Sequence, residues 1–487
     1  MKVPSLLVLM VIGLSLSAQT FEFDNSNLNA VYRNLFQQNR AALQEYGYPV
    51  ERDGNSAVAK DQFMIMLEGS ETSQADALRQ EAMATYGNRF AGYRSCGCDG
   101  SFRVEVWQID NVNGNERGKT GRDKVAENIG REEEDVMSNH YLFPSRPNAA
   151  IVAGNHQTLP GNFQVRPSNN PGTPVKIAIL DSGVDYQLQQ HNVPNQAPLF
   201  LWENPAENLN GSDEGDDPFC YVDDLIGWDF INGDNNPMDD NSHGTHVAGI
   251  LARSLQLNAP NVDYQLMPIK VLDHNGVGTT FEAICGLLYA AEHGADVINL
   301  SWGFAGDENL QLTRAMEIAI ESGATIVTSS GNDRLDLSFI DHYPSEYSMP
   351  GPNNLDGALF AAALDTPSSL WNGTNFRTIA PGNGGLVAFP GVDITSLVPI
   401  ALNGSVTNPK TGSSMAAPAL SALVADYVRL YPDHSPASIR HNLFYLVQTL
   451  SSSGQYSAYG NNYDFFGLNW LNIATLYNQH SGAMWTD

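Results

Sequence analysis

Downstream of Pro174, short apolar runs rich in β-branched residues alternate with stretches of helical periodicity, and nothing else in the chain limits its fold as strongly. The strand-like runs are Val175 to Leu180, Tyr264 to Val271, Asp296 to Leu300 and Ala324 to Ser329; the helical patterns cover Thr245 to Leu255, Thr280 to His293 and Leu310 to Ser322. Continuous apolar strands are buried on both faces, and their alternation with helices is that of successive βαβ units. The expected core is therefore α/β, a parallel doubly wound sheet with helices on both faces. Gly294 and Gly323 stand where two of these helices should end. A later helix is expected from near Ser414 toward Leu430, and Ser435-Pro436 is an N-cap and first-turn pair opening another. In such sheets ligands gather beyond the carboxyl ends of the strands, where Asp181, Ser301 and Asn332 fall.

The 487 residues exceed one ordinary domain. Ahead of the sheet pattern, 19–150 reads as a smaller α+β region with helices over Leu28 to Tyr46 and Gln74 to Tyr86 and strands over Gln62 to Leu67 and Phe102 to Ile109. Its remainder reads as solvated linker, including the charge run Arg131 to Asp135; so does the Pro/Asn-rich stretch Ser168 to Pro174. Residues 1–18 have the form of a signal peptide: Lys2, an apolar stretch from Leu6 to Leu16, and small residues before a cut ahead of Gln19. A secreted or extracytoplasmic location follows as an expectation. A membrane span needs about 20 apolar residues, roughly twice this run, so no span is expected in the mature chain.

Lys and Arg number 25 against 54 Asp and Glu, a net charge of −29, which argues against nucleic acid as a partner. Four cysteines, at 96, 98, 220 and 285, are too few for a disulfide-built scaffold and lack zinc-site spacing. One disulfide is compatible with them, though the pairing is not legible, and Cys285 reads as a buried apolar residue of a helix.

Four short blocks carry the chemistry: Asp181-Ser182-Gly183, His243-Gly244-Thr245-His246-Val247-Ala248-Gly249, Ser329-Ser330-Gly331-Asn332 and Gly412-Ser413-Ser414-Met415-Ala416-Ala417-Pro418. A serine hydroxyl is a weak nucleophile until an imidazole takes its proton and a carboxylate orients that imidazole, so an Asp, a His and a Ser are needed together. In sequence and order the four blocks resemble the signature segments of the subtilisin-like serine proteases, over about 175–475. The resemblance implies a catalytic domain over 151–480 and a serine endopeptidase working through an acyl-enzyme, with protein or peptide substrates and no cofactor required for catalysis. It implies Ser414 as nucleophile, with Ser413 the adjacent rival. His243 would be general base and acid, and His246 a packed structural residue. Asp181 would orient the imidazole, with Asp185 a turn residue, and the Asn332 amide would donate to the oxyanion.

Ser301-Trp302-Gly303 resembles the family's edge segment, whose backbone pairs with an extended substrate; such pairing reads backbone more than side chains, and a preference for apolar or aromatic residues before the cut is expected. Family members are commonly made with an inhibitory N-terminal prosegment, a role expected for 19–150 by position. The acidic stretch containing Asp213, Asp216, Asp217 and Asp223 has the oxygen density that suits a structural Ca2+. A lipase-like alternative fails, because it needs Gly-x-Ser-x-Gly and a Ser preceding its partners. The rival from another class is a secreted, calcium-stabilised binding protein on the same fold without turnover.

Overall fold

The computed structural model describes residues 8–9, 20–21, 25–97, 102–112, 121–132, 135–144, 158–159, 163–167, 173–207, 221–349, 354–366, 369–377, 386–452 and 465–467. Most of the signal-peptide segment, Cys98, Cys220, Asp213, Asp216, Asp217 and the tail loop past Ser452 lie outside these residues.

The expected parallel sheet is present. Its strands run in the order 465–467, Leu386–Pro390, Ala358–Thr366, Thr325–Ser329, Val297–Leu300, Val175–Asp181, Tyr264–Lys270 and Trp228–Asp229, every neighbouring pair parallel. Ser369–Leu370 adds a short antiparallel partner to Ala358–Thr366. Along the central strand, side chains alternate between two cores. Ile177 and Ile179 join Val297 and Val327 under helices His243–Asn258 and Ser413–Leu430. Ala178 and Leu180 join Met267, Ile269 and Ile298 under helices Thr280–Glu292 and Leu310–Glu321. This two-sided burial is why the strands read as unbroken apolar runs. Strand Ala358–Thr366 escaped the sequence reading, because its alanines at 358, 361, 362 and 363 have high helix propensity; sandwiching between strands overrides it.

The N-terminal region is more ordered than its sequence suggests. Strands Val50–Asp53, Ser56–Glu68, Phe90–Cys96, Phe102–Ile109 and Val136–Leu142 form an antiparallel sheet with helices Asn25–Glu45, Ala75–Tyr86 and Gly121–Asn128. Reading Phe90–Cys96, Gly121–Asn128 and Val136–Leu142 as part of a solvated linker is therefore corrected. The strand Val136–Leu142 carries the polar residues Ser138, Asn139 and His140, yet all three are buried: the Ser138 hydroxyl donates to Asp53 Oδ2 at 2.6 Å within the N-terminal unit, while Asn139 and His140 bond across to the larger unit. Thr280 Oγ1 accepts from the His140 N–H at 3.0 Å, Asn139 Oδ1 accepts from Phe281 N–H at 2.9 Å, and Asn309 Nδ2 reaches His140 Nδ1 at 3.0 Å. Gly278–Thr279 completes the sheet by pairing with Tyr141 and Leu142. The chain then runs from Leu142 directly onto the carboxyl edge of the parallel sheet. Among the described residues no helix is long and apolar enough to cross a membrane.

Candidate active site

Asp181 is the last residue of its strand and wholly buried, and His243 is the first residue of helix His243–Asn258. His243 Nδ1 lies 2.8 Å from Asp181 Oδ1 and 3.0 Å from Oδ2. A carboxylate only accepts, so Nδ1 carries a proton, and the tautomer this selects for the neutral ring is the one with Nε2 unprotonated. Ser182 N–H also donates to Asp181 Oδ1, at 2.7 Å. The close approach of helix to strand needs glycine at 244, where a Cβ would stand 2.0 Å from the Gly183 carbonyl oxygen and 3.2 Å from Asp181 Cβ.

A second tier braces this pair. Ser182 Oγ donates to Asp239 Oδ1 at 2.8 Å and accepts from Gly244 N–H at 2.9 Å, while Asp239 Oδ2 accepts from Thr245 N–H at 2.9 Å. Beneath it the Lys270 ammonium is fully buried and donates to Asp240 Oδ1 (2.5 Å), the Ser182 carbonyl (2.8 Å) and the Leu272 carbonyl (3.0 Å). Burial alone would pull its pKa down; the carboxylates of Asp240, Asp229 and Asp239 hold it above the ordinary lysine value. The sequence reading passed over Lys270, whose only signal was a cation inside an apolar strand.

Ser414 opens helix Ser413–Leu430 as its second residue. Pro418, inside that helix, has no N–H to give the Ser414 carbonyl four residues back. Ser301 Oγ takes the place of that donor at 3.2 Å, so the edge segment is tied to the serine by a bond the helix itself cannot make. Ser414 Oγ donates toward the carbonyls of Ser301 (3.0 Å) and Pro144 (3.1 Å). Asn332 follows Gly331, whose φ of +95° and lack of a Cβ are required: a Cβ would lie 2.3 Å from Asn375 Nδ2 and 2.7 Å from His342 Nε2. Asn332 Oδ1 accepts from Ser413 N–H at 2.8 Å and from Ser413 Oγ at 3.0 Å, which turns its amide outward, and Nδ2 donates to the Pro144 carbonyl at 2.9 Å. One peptide carbonyl, that of Pro144, thus sits between the Ser414 hydroxyl and the Asn332 amide. Ser413 is committed to Gly331 and Asn332 and leaves the cleft to Ser414.

Phe143 pairs with Gly303 as an antiparallel bridge, N to O distances being 3.3 and 3.2 Å, so the N-terminal unit lays its own chain along the edge segment. Beside it opens a cavity of 460 Å³ walled in part by Gly303, Ser329, Gly331, His342 and Trp371. Burial pushes the His342 pKa down to about 4, and its Nδ1 meets Ser345 Oγ at 2.9 Å, so a neutral ring faces the cavity. Neither Pro144 nor His342 had a sequence signal, since both act through contacts with distant segments. Trp302 is turned the other way: its side chain is wholly buried in the core, with Nε1–H donating to the Leu180 carbonyl at 2.9 Å.

The rival residues have other work. His246 is buried, its Nε2 lies 2.9 Å from the Ile394 carbonyl and 3.0 Å from that of Asn408, and burial pushes its pKa down to about 3. Asp185 accepts from Gln187 N–H at 3.1 Å, capping the turn Tyr186–Gln190, and burial raises its pKa to about 6. Of the four acidic residues expected to hold an ion, only Asp223 is described, in a turn at φ +57°. Its neighbour Asp224 is engaged by Asn204 Nδ2 (3.0 Å) and Tyr289 Oη (2.5 Å). Among the described residues no group of three or more His, Cys, Asp or Glu is placed to hold a metal. Cys285 is buried as expected but is not a free apolar residue: it is bonded to Cys96, 189 positions earlier.

Comparison with known proteins agrees with this geometry. The model of the subtilase family (peptidase S8) matches residues 172–461. The thermophilic serine proteinase of Bacillus sp. (strain AK1) is 31% identical over 294 residues, 58% of this chain and 59% of that protein. The cell wall-associated protease of Bacillus subtilis (strain 168) is 35% identical over 201 residues, 40% of this chain and 20% of its own. Thermitase of Thermoactinomyces vulgaris is 31% identical over 297 residues, 59% of this chain and 86% of that one. The chain therefore spans 59% and 20% of the length of the first two and most of the third. With the family model matching well over half of its length, this chain belongs to the subtilase family.

Proposed function

We propose that this protein is an exported serine endopeptidase in which Ser414 attacks the substrate carbonyl and forms an acyl-enzyme. His243 Nε2 takes the hydroxyl proton and returns it to the leaving amine, while Asp181 keeps the ring in the tautomer that leaves Nε2 free and offsets the positive charge it acquires. Asn332 Nδ2 and the Ser414 backbone N–H stabilise the oxyanion, and a water then repeats the sequence to release the acid. The observation that carries the reading is the Pro144 carbonyl, held between the Ser414 hydroxyl and the Asn332 amide where a scissile carbonyl has to lie.

That carbonyl belongs to the chain's own N-terminal region. In this reading 19–150 is a prosegment with its linker, 151–480 is the catalytic domain, the chain is cut near Pro144, and the prosegment inhibits for as long as it occupies the cleft. Export is supported by the Lys2 and Leu6 to Leu16 pattern at the start of the chain. Calcium in the acidic 210–224 stretch is supported by its sequence alone; chelation is expected to lower the melting temperature, and an unchanged value would remove the ion from the account.

The test is peptide hydrolysis by the processed protein beside Ser414→Ala, His243→Ala and Asp181→Asn. Each change is expected to lower kcat by about 10⁴–10⁶ with KM little altered. Hydrolysis surviving in Ser414→Ala would exclude the nucleophile, and a folded, processed wild type without turnover once its N-terminal region has been released would favour a binding role.

A further inference from the structure

The N-terminal unit is fastened to the catalytic unit by a covalent bond that lies apart from the cleft. Cys96 ends the edge strand Phe90–Cys96 of the N-terminal sheet, and Cys285 lies in helix Thr280–Glu292, which packs under the parallel sheet. Around the bond the two surfaces are complementary. Arg94 pairs with Glu282 at 2.6 Å, and Gln311 Nε2 donates to the carbonyls of Met64 (3.1 Å) and Asp135 (3.0 Å). Arg314 pairs with Glu68 at 2.8 Å. Cys285 is fully buried and Cys96 is 5% exposed, so a thiol in solution reaches the bond only when the units part.

We propose that the N-terminal unit is a retained subunit rather than a detachable segment: after the chain is cut between Pro144 and Val175, the Cys96–Cys285 disulfide keeps it on the catalytic unit. The inference rests on the endopeptidase reading for its effect on activity, but not for its effect on mass. A cut alone leaves the 142–144 segment tethered beside Ser414. A tethered inhibitor rebinds at an effective concentration in the millimolar range, far above that of a freed one, so cutting does not by itself open the cleft. Opening requires a dithiol reductant. One of its thiolates attacks a sulfur of the disulfide to form a mixed disulfide, and its second thiol displaces that bond. Two electrons pass to the protein, which gains two cysteine thiols, and the reductant leaves as a cyclic disulfide. In an oxidising compartment the unit stays attached.

The test uses the full-length chain with Cys98→Ser, which leaves Cys96 as the sole cysteine of the N-terminal region, and with a recognition site for an exogenous protease placed within 150–156. In the Ser414→Ala background, complete cutting is followed by mass measurement in denaturant. One species of full mass plus one water is expected before a dithiol is added, and two fragments after. Adding Cys96→Ser should give two fragments with no reductant. Separation of the Cys98→Ser chain in denaturant without reductant would overturn the tether. With Ser414 intact, hydrolysis of a short peptide by the cut chain is expected to rise at least tenfold on dithiol treatment, while the Cys96→Ser/Cys98→Ser chain is already at the higher rate. Equal rates before reduction would overturn the retained inhibition. Absence of hydrolysis and of fluorophosphonate labelling in every form would instead count against the endopeptidase reading and leave the mass result standing.

Discussion

Replacing Lys270 by Met tests whether the buried tier beneath Asp181 positions the acid of the site. Met keeps the length and volume of the side chain but removes its only cation, leaving the Asp240 carboxylate and the carbonyls of Ser182 and Leu272 without that donor. Removing one partner of a buried ion pair costs about 3–5 kcal/mol, a large share of an ordinary folding free energy of roughly 5–15 kcal/mol. Asp229 and Asp239 also lose a compensating charge, which adds to the cost. The effect should pass to catalysis, because the Ser182 carbonyl that Lys270 holds follows Asp181 directly. A displacement of about 1 Å in a reacting group lowers rate by roughly 10². The expected result is a fall of at least 3 kcal/mol in urea unfolding and a fall of about 10² in kcat with little change in KM. Lys270→Met/Asp240→Leu, which removes both charges, should recover much of the stability. A single mutant within 1 kcal/mol of wild type at unchanged kcat would refute the bracing role.

Asn332→Ala removes the amide that meets the Pro144 carbonyl and should lower kcat by about 10²–10³, as read by steady-state hydrolysis; near-normal turnover would remove the residue from the oxyanion site. His140 is buried between the units, and burial pushes its pKa down to about 4, so the fold favours the neutral ring. Its contribution is complete above the unfolded value near 6.5 and is lost as pH falls from there toward 4, at about 1.4 kcal/mol per pH unit. Glu346 acts in the opposite sense, since burial raises its pKa to about 7 and favours the folded state as pH falls below that value. The His140 term is therefore isolated as a difference: relative to wild type, His140→Phe should lose that slope in unfolding measured from pH 7 to 4, and parallel curves would contradict it.

What the sequence discloses here follows from the range of the interactions. Strands Val175–Asp181 and Thr325–Ser329 were legible because burial on both faces leaves an unbroken apolar run, and helix Ser413–Leu430 because its periodicity is local. Asp181, His243, Asn332 and Ser414 stood in recognisable blocks at strand and helix ends. Strand Val136–Leu142 was hidden because its polar residues bond to distant segments of the protein instead of water. The same is true of the Pro144 carbonyl, of His342 and of Cys96 with Cys285: each acquires its role from a partner far away in sequence, and no local pattern records it.

The most direct measurement is the position of a single fluorophosphonate adduct on the processed, reduced protein, read by peptide mass mapping. The account predicts one adduct, on the Ser414 hydroxyl, and its loss in His243→Ala although the serine is still present. An adduct on Ser413, or labelling unaffected by removal of the imidazole, would contradict the arrangement of Asp181, His243 and Ser414 on which the account depends.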